Sequence, residues 1–363
     1  MNKKILIAST KAITINVFLD YFINSAYKKK HRLSFLCSDS NNINNQLLNK
    51  SLNDSCTSIS LPRNTLELIN VFKVILILIK IRSFFKINKF DIIFIHTPLI
   101  SHLIRIATFG LNLNICYFVH GYRFHTKLKF TYRVFFFMIE YFLSFNTNQY
   151  ITINKEDMKY TKKYFSKNLI FLKGIGIEMI DKDIPTKEIS NSFKIGVIAG
   201  YKKSKGYDDI IYVAKKLHDN SKIQFISFGY QNPKKYLKII NKLKLTNIEV
   251  NKFVHNIYSE IDKFDILLHL SKREGLSTVT LQSLHRGVPV IGYDIRGVRD
   301  LIYNIHNGML VDIGQKEKIV DIINFLFHNK SLYYSLQKRA LLTIDESYSK
   351  NSSQKILFEF MQL

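Results

Sequence analysis

Cysteine is scarce in this chain of 363 residues. Cys37, Cys56 and Cys116 are its only three, and no two of them share a CxxC spacing. That argues against a structural zinc site and a disulfide framework, and fits a reducing compartment. Long apolar runs are also missing. The two greasiest stretches, 71–86 and 130–145, are each broken by charge. Neither reaches the ~20 apolar residues of a membrane span. They are expected to be core helices, or interfacial helices lying on an anionic bilayer. For 71–86 the two readings stand level; for 130–145 the core is preferred. The first residues, MetAsnLysLysIleLeuIleAlaSer, lead straight into a strand pattern without the apolar run and cleavage site of a signal peptide. A cytoplasmic chain, peripheral on the cytoplasmic face of the inner membrane, is the expectation. No short internal repeat is present.

Acidic residues are few. Asp and Glu number 28 against 53 Lys and Arg, a net charge of +25. Such a surface favours polyanions: nucleic acid, anionic lipid or phosphorylated substrates. The abundance of Asn, Ile and Lys also suits an AT-rich genome, which supplies an ordinary source for some of the lysines. Residues 1–170 hold 24 basic against 8 acidic side chains, and residues 171–363 hold 29 against 20.

What is present is a globular pattern. Apolar residues make up 47% of the chain, and its length suits two domains. Short apolar runs at 5–8, 33–37, 91–95, 115–119 and 150–153 read as strands separated by amphipathic stretches. Residues 174–192 lose the pattern and read as a linker. It restarts with runs at 193–199, 223–229, 266–271 and 288–293, and with a helical pattern over 208–217. Alternating strands and helices predict α/β domains with parallel sheets, whose ligands bind at the carboxyl ends of strands. The expected division is a first domain over 1–173, the linker, a second domain over 193–345, and a closing helix in 346–363. That helix is expected to pack back on the first domain.

The stretch ArgGluGlyLeuSerThrValThrLeuGlnSerLeuHisArgGlyValProValIle (273–291) is the most informative. Ser277 suits the N-cap of a helix over 278–286, and Gly287 its C-terminal stop. Amides of Gly275, Leu276, Ser277 and Thr278 at that N-terminus can hold an anion such as a diphosphate. Glu274 then suits hydroxyl groups on one side of the anion and Gln282 those on the other, the layout of a nucleotide sugar. On spacing alone Glu274 reads as a surface loop residue and Gln282 as an ordinary helix residue.

Glu274, Gly275, Gly287, Pro289, Val290 and Ile291, with 294–302 and 307–311, resemble the donor-binding motif of family 4 glycosyltransferases of the bacterial surface-polysaccharide type. The family has a second Glu where this chain has Gln282. Segments 96–107, 119–125, 151–158 and 174–178 also resemble family segments in the right order. The resemblance implies a GT-B fold, with two Rossmann-like, doubly wound domains facing a central cleft. It implies a retaining transfer of a sugar from a nucleoside diphosphate, UDP-hexose or UDP-N-acetylhexosamine, to a lipid-linked or oligosaccharide acceptor. Anionic membrane is an expected partner and nucleic acid is not.

Site residues follow from the same resemblance. His120 and Glu274 are the expected catalytic residues, both at the donor sugar. Lys205 holds the diphosphate, and Tyr201 stands where the family has Arg, with Lys202 or Lys203 as substitutes. Phe253 and Val254 lie near the base. Arg123, His125 and Lys11 face the acceptor, although the loop 9–16 lacks the glycine usual in this fold. His96 and His102 are left to structure. Fixed cations and amides are expected to neutralise the leaving group, with no cofactor and no metal. Asp181 and Asp183 have metal-ligand spacing but fall in the linker. Two rivals stay open: a GT-B nucleotide-sugar enzyme of epimerase type, and a non-catalytic polyanion-binding protein.

Overall fold

The computed structural model describes residues 2–43, 55–59, 70–126, 128–180, 192–254 and 256–363. The chain divides into two compact units. One is Met1–Ile175 with Lys350–Leu363, the other Gly176–Ser349.

The first unit runs β1 (Lys4–Ala8), α1 (Ala12–Phe18), α2 (Asp20–Lys28), β2 (Arg32–Cys37), β3 (Ser55–Ser58), α3 (Val71–Ile87), β4 (Ile92–His96) and α4 (Pro98–Ala107). It continues through β5 (Ile115–Val119), α5 (Phe130–Ser144), β6 (Gln149–Thr152), α6 (Lys155–Tyr160) and β7 (Leu169–Phe171). The sheet order is β3-β2-β1-β4-β5-β6-β7, every pair parallel. Parallel strands need crossover helices, which cover both faces. Hence Ile5–Ala8, Ile92–Ile95 and Ile115–Val119 are buried throughout, without alternation.

The second unit repeats the scheme. Its elements are β8 (Phe193–Ile198), α7 (Tyr207–Lys216), β9 (Ile223–Gly229), α8 (Lys234–Lys242), β10 (Ile248–Lys252), α9 (Tyr258–Ile261) and β11 (Ile266–His269). Then come α10 (Thr278–His285), β12 (Val290–Tyr293), β13 (Gly308–Val311), α11 (Lys316–His328) and α12 (Lys330–Thr343). The order is β10-β9-β8-β11-β12-β13, again parallel. The chain then returns to the first unit as α13 (Lys350–Met361), whose Phe358 ring lies 5.1 Å from that of Phe22 on α2.

In each sheet the strand order reverses once, between β1 and β4 and between β8 and β11. Loops leaving the carboxyl ends of those strands depart in opposite directions and open a crevice, the usual ligand site of such sheets.

One expectation fails on burial. The stretch 130–145 forms α5, yet Phe130, Val134, Phe135, Met138, Tyr141, Phe142 and Phe145 are exposed. Its buried residues are Glu140, Leu143 and Ser144. The reason is a charge cluster beneath it. Glu140 binds Arg105 at 2.8 Å and His102 at 2.7 Å, both on α4, and Arg105 lies over the Tyr117 ring. A buried guanidinium without its carboxylate is costly. That pairing sets the rotation of α5 and turns its aromatic side outward.

Candidate functional site

The crevice of the second unit is built by the loops after β8 and β11. The β8 loop ends in a short turn over Lys203–Lys205, closed by Gly206. Gly206 has φ +80°, and a Cβ there would stand 2.1 Å from the Leu270 carbonyl oxygen, so the close approach of the two loops requires glycine. This brings Lys205 to the loop after β11, where its Nζ pairs with Glu274 Oε1 at 2.5 Å.

Glu274 has a second neighbour in His269, the last residue of β11, whose Nε2 is 3.5 Å from the same oxygen. That nitrogen also lies 3.2 Å from Ser277 Oγ. Ser277 caps α10 as expected, accepting from the Thr280 amide at 3.2 Å and its hydroxyl at 2.8 Å. Burial pushes the Glu274 carboxyl up. The hydrogen bond from His269 and the charge of Lys205 outweigh it and leave the group at about 2. Glu274 is therefore a carboxylate at neutral pH.

The loop is braced from behind. Gly297 has φ +77°, and a Cβ there would meet the Gly275 carbonyl oxygen at 2.2 Å. The Ser277 amide donates to the Gly297 carbonyl at 3.2 Å. This corrects the expectation of four free amides: Ser277 offers its hydroxyl and the cap, while its N–H is engaged. Gly275, Leu276 and Thr278 lie half-buried beside it.

Tyr201 is also corrected. It is buried in the core, its ring 4.9 Å from that of Tyr207 and its hydroxyl bonded to the Asn251 carbonyl. A phenol whose ring is packed and whose O–H is satisfied serves the core, not a ligand. Lys202 and Lys203 are exposed on the same loop. Gln282 is half-buried on α10. Phe253 is exposed just beyond β10 with Val254 against the core, and the Tyr230 ring stands 6.5 Å from Phe253. Asp181 and Asp183 lie outside the described residues.

The first unit gathers its candidates at the carboxyl edge of its own sheet. His96 ends β4, His120 follows β5, and His96 Nδ1 lies 2.9 Å from His120 Nε2. Burial lowers His120 to about 4 and holds His96 well below the usual imidazole range, with His120 adding to the effect on His96. Both rings are thus neutral at pH 7, and the bond between them carries a single proton. Beside them Thr97 adopts φ +65°, uncommon for a β-branched residue. It is held by the Thr10 amide at 3.1 Å and hydroxyl at 2.7 Å. Lys11 is exposed at the start of α1, the Arg123 guanidinium lies over Phe136, and His125 is half-buried.

Sequence reasoning missed His269 and undervalued His96. Each is the final residue of a buried strand on the carboxyl edge of its sheet. A polar residue closing an otherwise apolar run was the available signal.

Two comparisons with known proteins bear on this geometry. Residues 180–342, which carry the Lys205–Glu274 crevice, match the family model described as glycosyl transferases group 1. The chain is similar to HepE of Anabaena in complex with UDP-glucose, with TM-score 0.73 and 15% identity over 99% of this chain and 100% of that one. The protein has the GT-B fold of glycosyltransferases. Within that fold, residues 180–342 are similar to the group 1 glycosyl transferases, a little under half of the chain.

Among named relatives, it is 24% identical to N-acetyl-alpha-D-glucosaminyl L-malate synthase of Bacillus anthracis, over 47% of this chain and 45% of that one. It is 26% identical to the capsular polysaccharide biosynthesis glycosyltransferase CapM of Staphylococcus aureus, over 54% and 46%. The match spans less than half the length of either relative.

Proposed function

We propose that the protein is a retaining, metal-independent glycosyltransferase of bacterial surface-glycan synthesis. It moves a hexose or N-acetylhexosamine from a UDP-sugar to a growing, lipid-linked glycan. One observation carries the reading: a Lys–Glu–His cluster at the strand-order reversal of the second unit, beside the capped N-terminus of α10. The group 1 match over the same residues and the likeness to a UDP-glucose-bound fold support it.

In this reading the α10 N-terminus and Lys205 hold the diphosphate, since a helix N-terminus and a cation both favour negative charge. Lys205 has three N–H donors and spends one on Glu274. Glu274 accepts from sugar hydroxyls, Gln282 from the ribose, and Phe253 with Tyr230 receives the base. The acceptor hydroxyl forms its bond to the anomeric carbon on the face from which the diphosphate oxygen departs. The hydroxyl proton passes to a phosphate oxygen of the leaving nucleoside diphosphate. His120 keeps its place as a proposed catalytic residue on the family resemblance, and His120→Asn tests it separately.

The test is a thermal-shift panel of nucleotide sugars on the purified protein, followed by turnover with a lipid-linked oligosaccharide. A ligand that binds the native state raises its melting temperature. A UDP-sugar should raise it, Lys205→Ala should abolish the rise, and a chelator should leave turnover intact. NMR of the product should show the anomeric configuration of the donor. An inverted product, or release of an epimerised sugar without acceptor, would overturn the reading.

A further inference from the structure

Two neutral imidazoles joined by one hydrogen bond pose a question: which ring gives the proton. The bond runs between His96 Nδ1 and His120 Nε2 at 2.9 Å, so each ring uses a different nitrogen. If His120 donates, both rings carry their hydrogen on Nε2. If His96 donates, both carry it on Nδ1. The surroundings of His96 decide between these forms. Its ring is wholly buried, edge-on to Phe94 with centroids 4.2 Å apart and stacked on Phe118 at 5.1 Å. Its Nε2 is buried and meets no hydrogen-bond partner among the described residues. An N–H at that point would be stripped of water with no oxygen or nitrogen to receive it. Orphaned buried N–H groups are rarer than under-satisfied acceptors, so a bare lone pair is the favoured occupant. The hydrogen of His96 therefore sits on Nδ1 and is given to His120 Nε2.

That choice fixes what His120 shows outward. Its Nε2 accepts from His96, so its own hydrogen is on Nδ1. His120 is partly exposed at the carboxyl edge of the first sheet, and its Nδ1 bonds no described residue. The backbone beside the pair is also unusual. Thr97 follows His96 with φ +65°, and Thr10 binds its hydroxyl with both amide and side chain. Strain of this kind persists where the surrounding structure over-determines it, and it clusters at ligand sites. We propose that His96 is a positioning residue that fixes His120 as its Nδ1–H tautomer, so that His120 offers a ligand oxygen a hydrogen-bond donor and keeps no free nitrogen to act as a base. This agrees with a transfer in which a phosphate oxygen of the leaving group takes the acceptor's proton. The identity of the ligand rests on the proposed function; the tautomer does not.

Heteronuclear NMR of the full chain, labelled at its histidine nitrogens and free of substrate, tests this at neutral pH. A protonated ring nitrogen and a bare one resonate far apart, and the signals lost in His96→Asn and in His120→Asn assign the two rings. Both rings should show hydrogen on Nδ1 and a bare Nε2. His96→Leu removes the internal donor and should release His120 toward its Nε2–H form. Sugar transfer by that variant should fall about tenfold in kcat, with the KM of the sugar donor little changed. The amide of His96→Asn can give a hydrogen from nearly the same place. It should hold the Nδ1–H form and recover most of the transfer lost in His96→Leu. A wild-type His120 protonated on Nε2, or a His96→Leu chain whose His120 keeps the Nδ1–H form, would overturn the proposal whatever the turnover. So would equal transfer by wild type and His96→Leu. A wild type with hydrogen on both Nδ1 atoms that moves no sugar supports the tautomer and contradicts the proposed function instead.

Discussion

The carboxylate of Glu274 and the ammonium of Lys205 neutralise each other in the second unit before any ligand arrives. Removing one member of a half-buried pair leaves the other without a counter-charge, at a cost of about 1–3 kcal/mol. Glu274→Gln keeps the shape of the side chain and removes its charge. The variant should melt a few degrees below wild type in the absence of ligand. Added UDP would then supply the missing anion to Lys205. The rise in melting temperature with UDP should therefore be larger in Glu274→Gln than in wild type, even as sugar transfer falls at least tenfold. An equal or smaller rise would show that Lys205 does not meet the diphosphate. The histidine pair of the first unit obeys a different rule. His120 does not charge until about pH 4, so any hydrogen bond it gives at neutral pH is that of a neutral imidazole.

At the scale of elements, the α4–α5 contact turns on one polar cluster. Glu140 sits at about 2: burial raises its carboxyl, but Arg105 and His102 pull it further down. Glu140→Ala should cost about 3–5 kcal/mol in urea unfolding, because Arg105 stays buried without its partner. Arg105→Met with Glu140→Leu should recover most of that loss, a non-additivity that a double-mutant cycle measures. The same cluster explains why the position of α5 was hidden in its sequence. Composition alone suggested a core helix, and only the rotation imposed by Glu140 turns Phe130, Phe135 and Phe142 out while Phe136 and Phe137 stay against the core. Central strands were legible because burial on both faces produces uninterrupted apolar runs, as at 92–95 and 115–119. The edge strand β3 was not, since SerCysThrSer has no apolar run to show. At the site, the cap at Ser277 and the glycine turn were readable from local rules. The pairing of Lys205 with Glu274 was not, because it depends on two loops that the sheet brings together across 69 positions of sequence.

Across the whole molecule, the titrating groups are divided unequally, and this predicts the order in which the two units fail in acid. The first unit holds His31, His96 and His120, all lowered chiefly by burial. A histidine lowered on folding is protonated more readily in the unfolded chain, so stability is full above the unfolded value near 6.5 and declines as pH falls toward the folded value. For His120, lowered from 6.5 to about 4, the loss is on the order of 3 kcal/mol. Glu140 and Glu274 are depressed to about 2, so their contributions are present above the ordinary carboxyl value and fade only between about 4.5 and 2. The first unit should therefore loosen between pH 6.5 and 4, while the second holds until its Glu274 pair is protonated. All three cysteines lie in the first unit, Cys37 and Cys116 buried and Cys56 exposed. A thiol reagent active in acid should label Cys56 at pH 7 and reach Cys37 and Cys116 by pH 4. Calorimetry over the same range should resolve two transitions, the lower one moving down first. A His96→Phe, His120→Phe double variant, with no imidazole to charge at that edge, should flatten the first limb. If the buried thiols stay protected at pH 4 while the second transition falls, the two imidazoles do not control the acid limb.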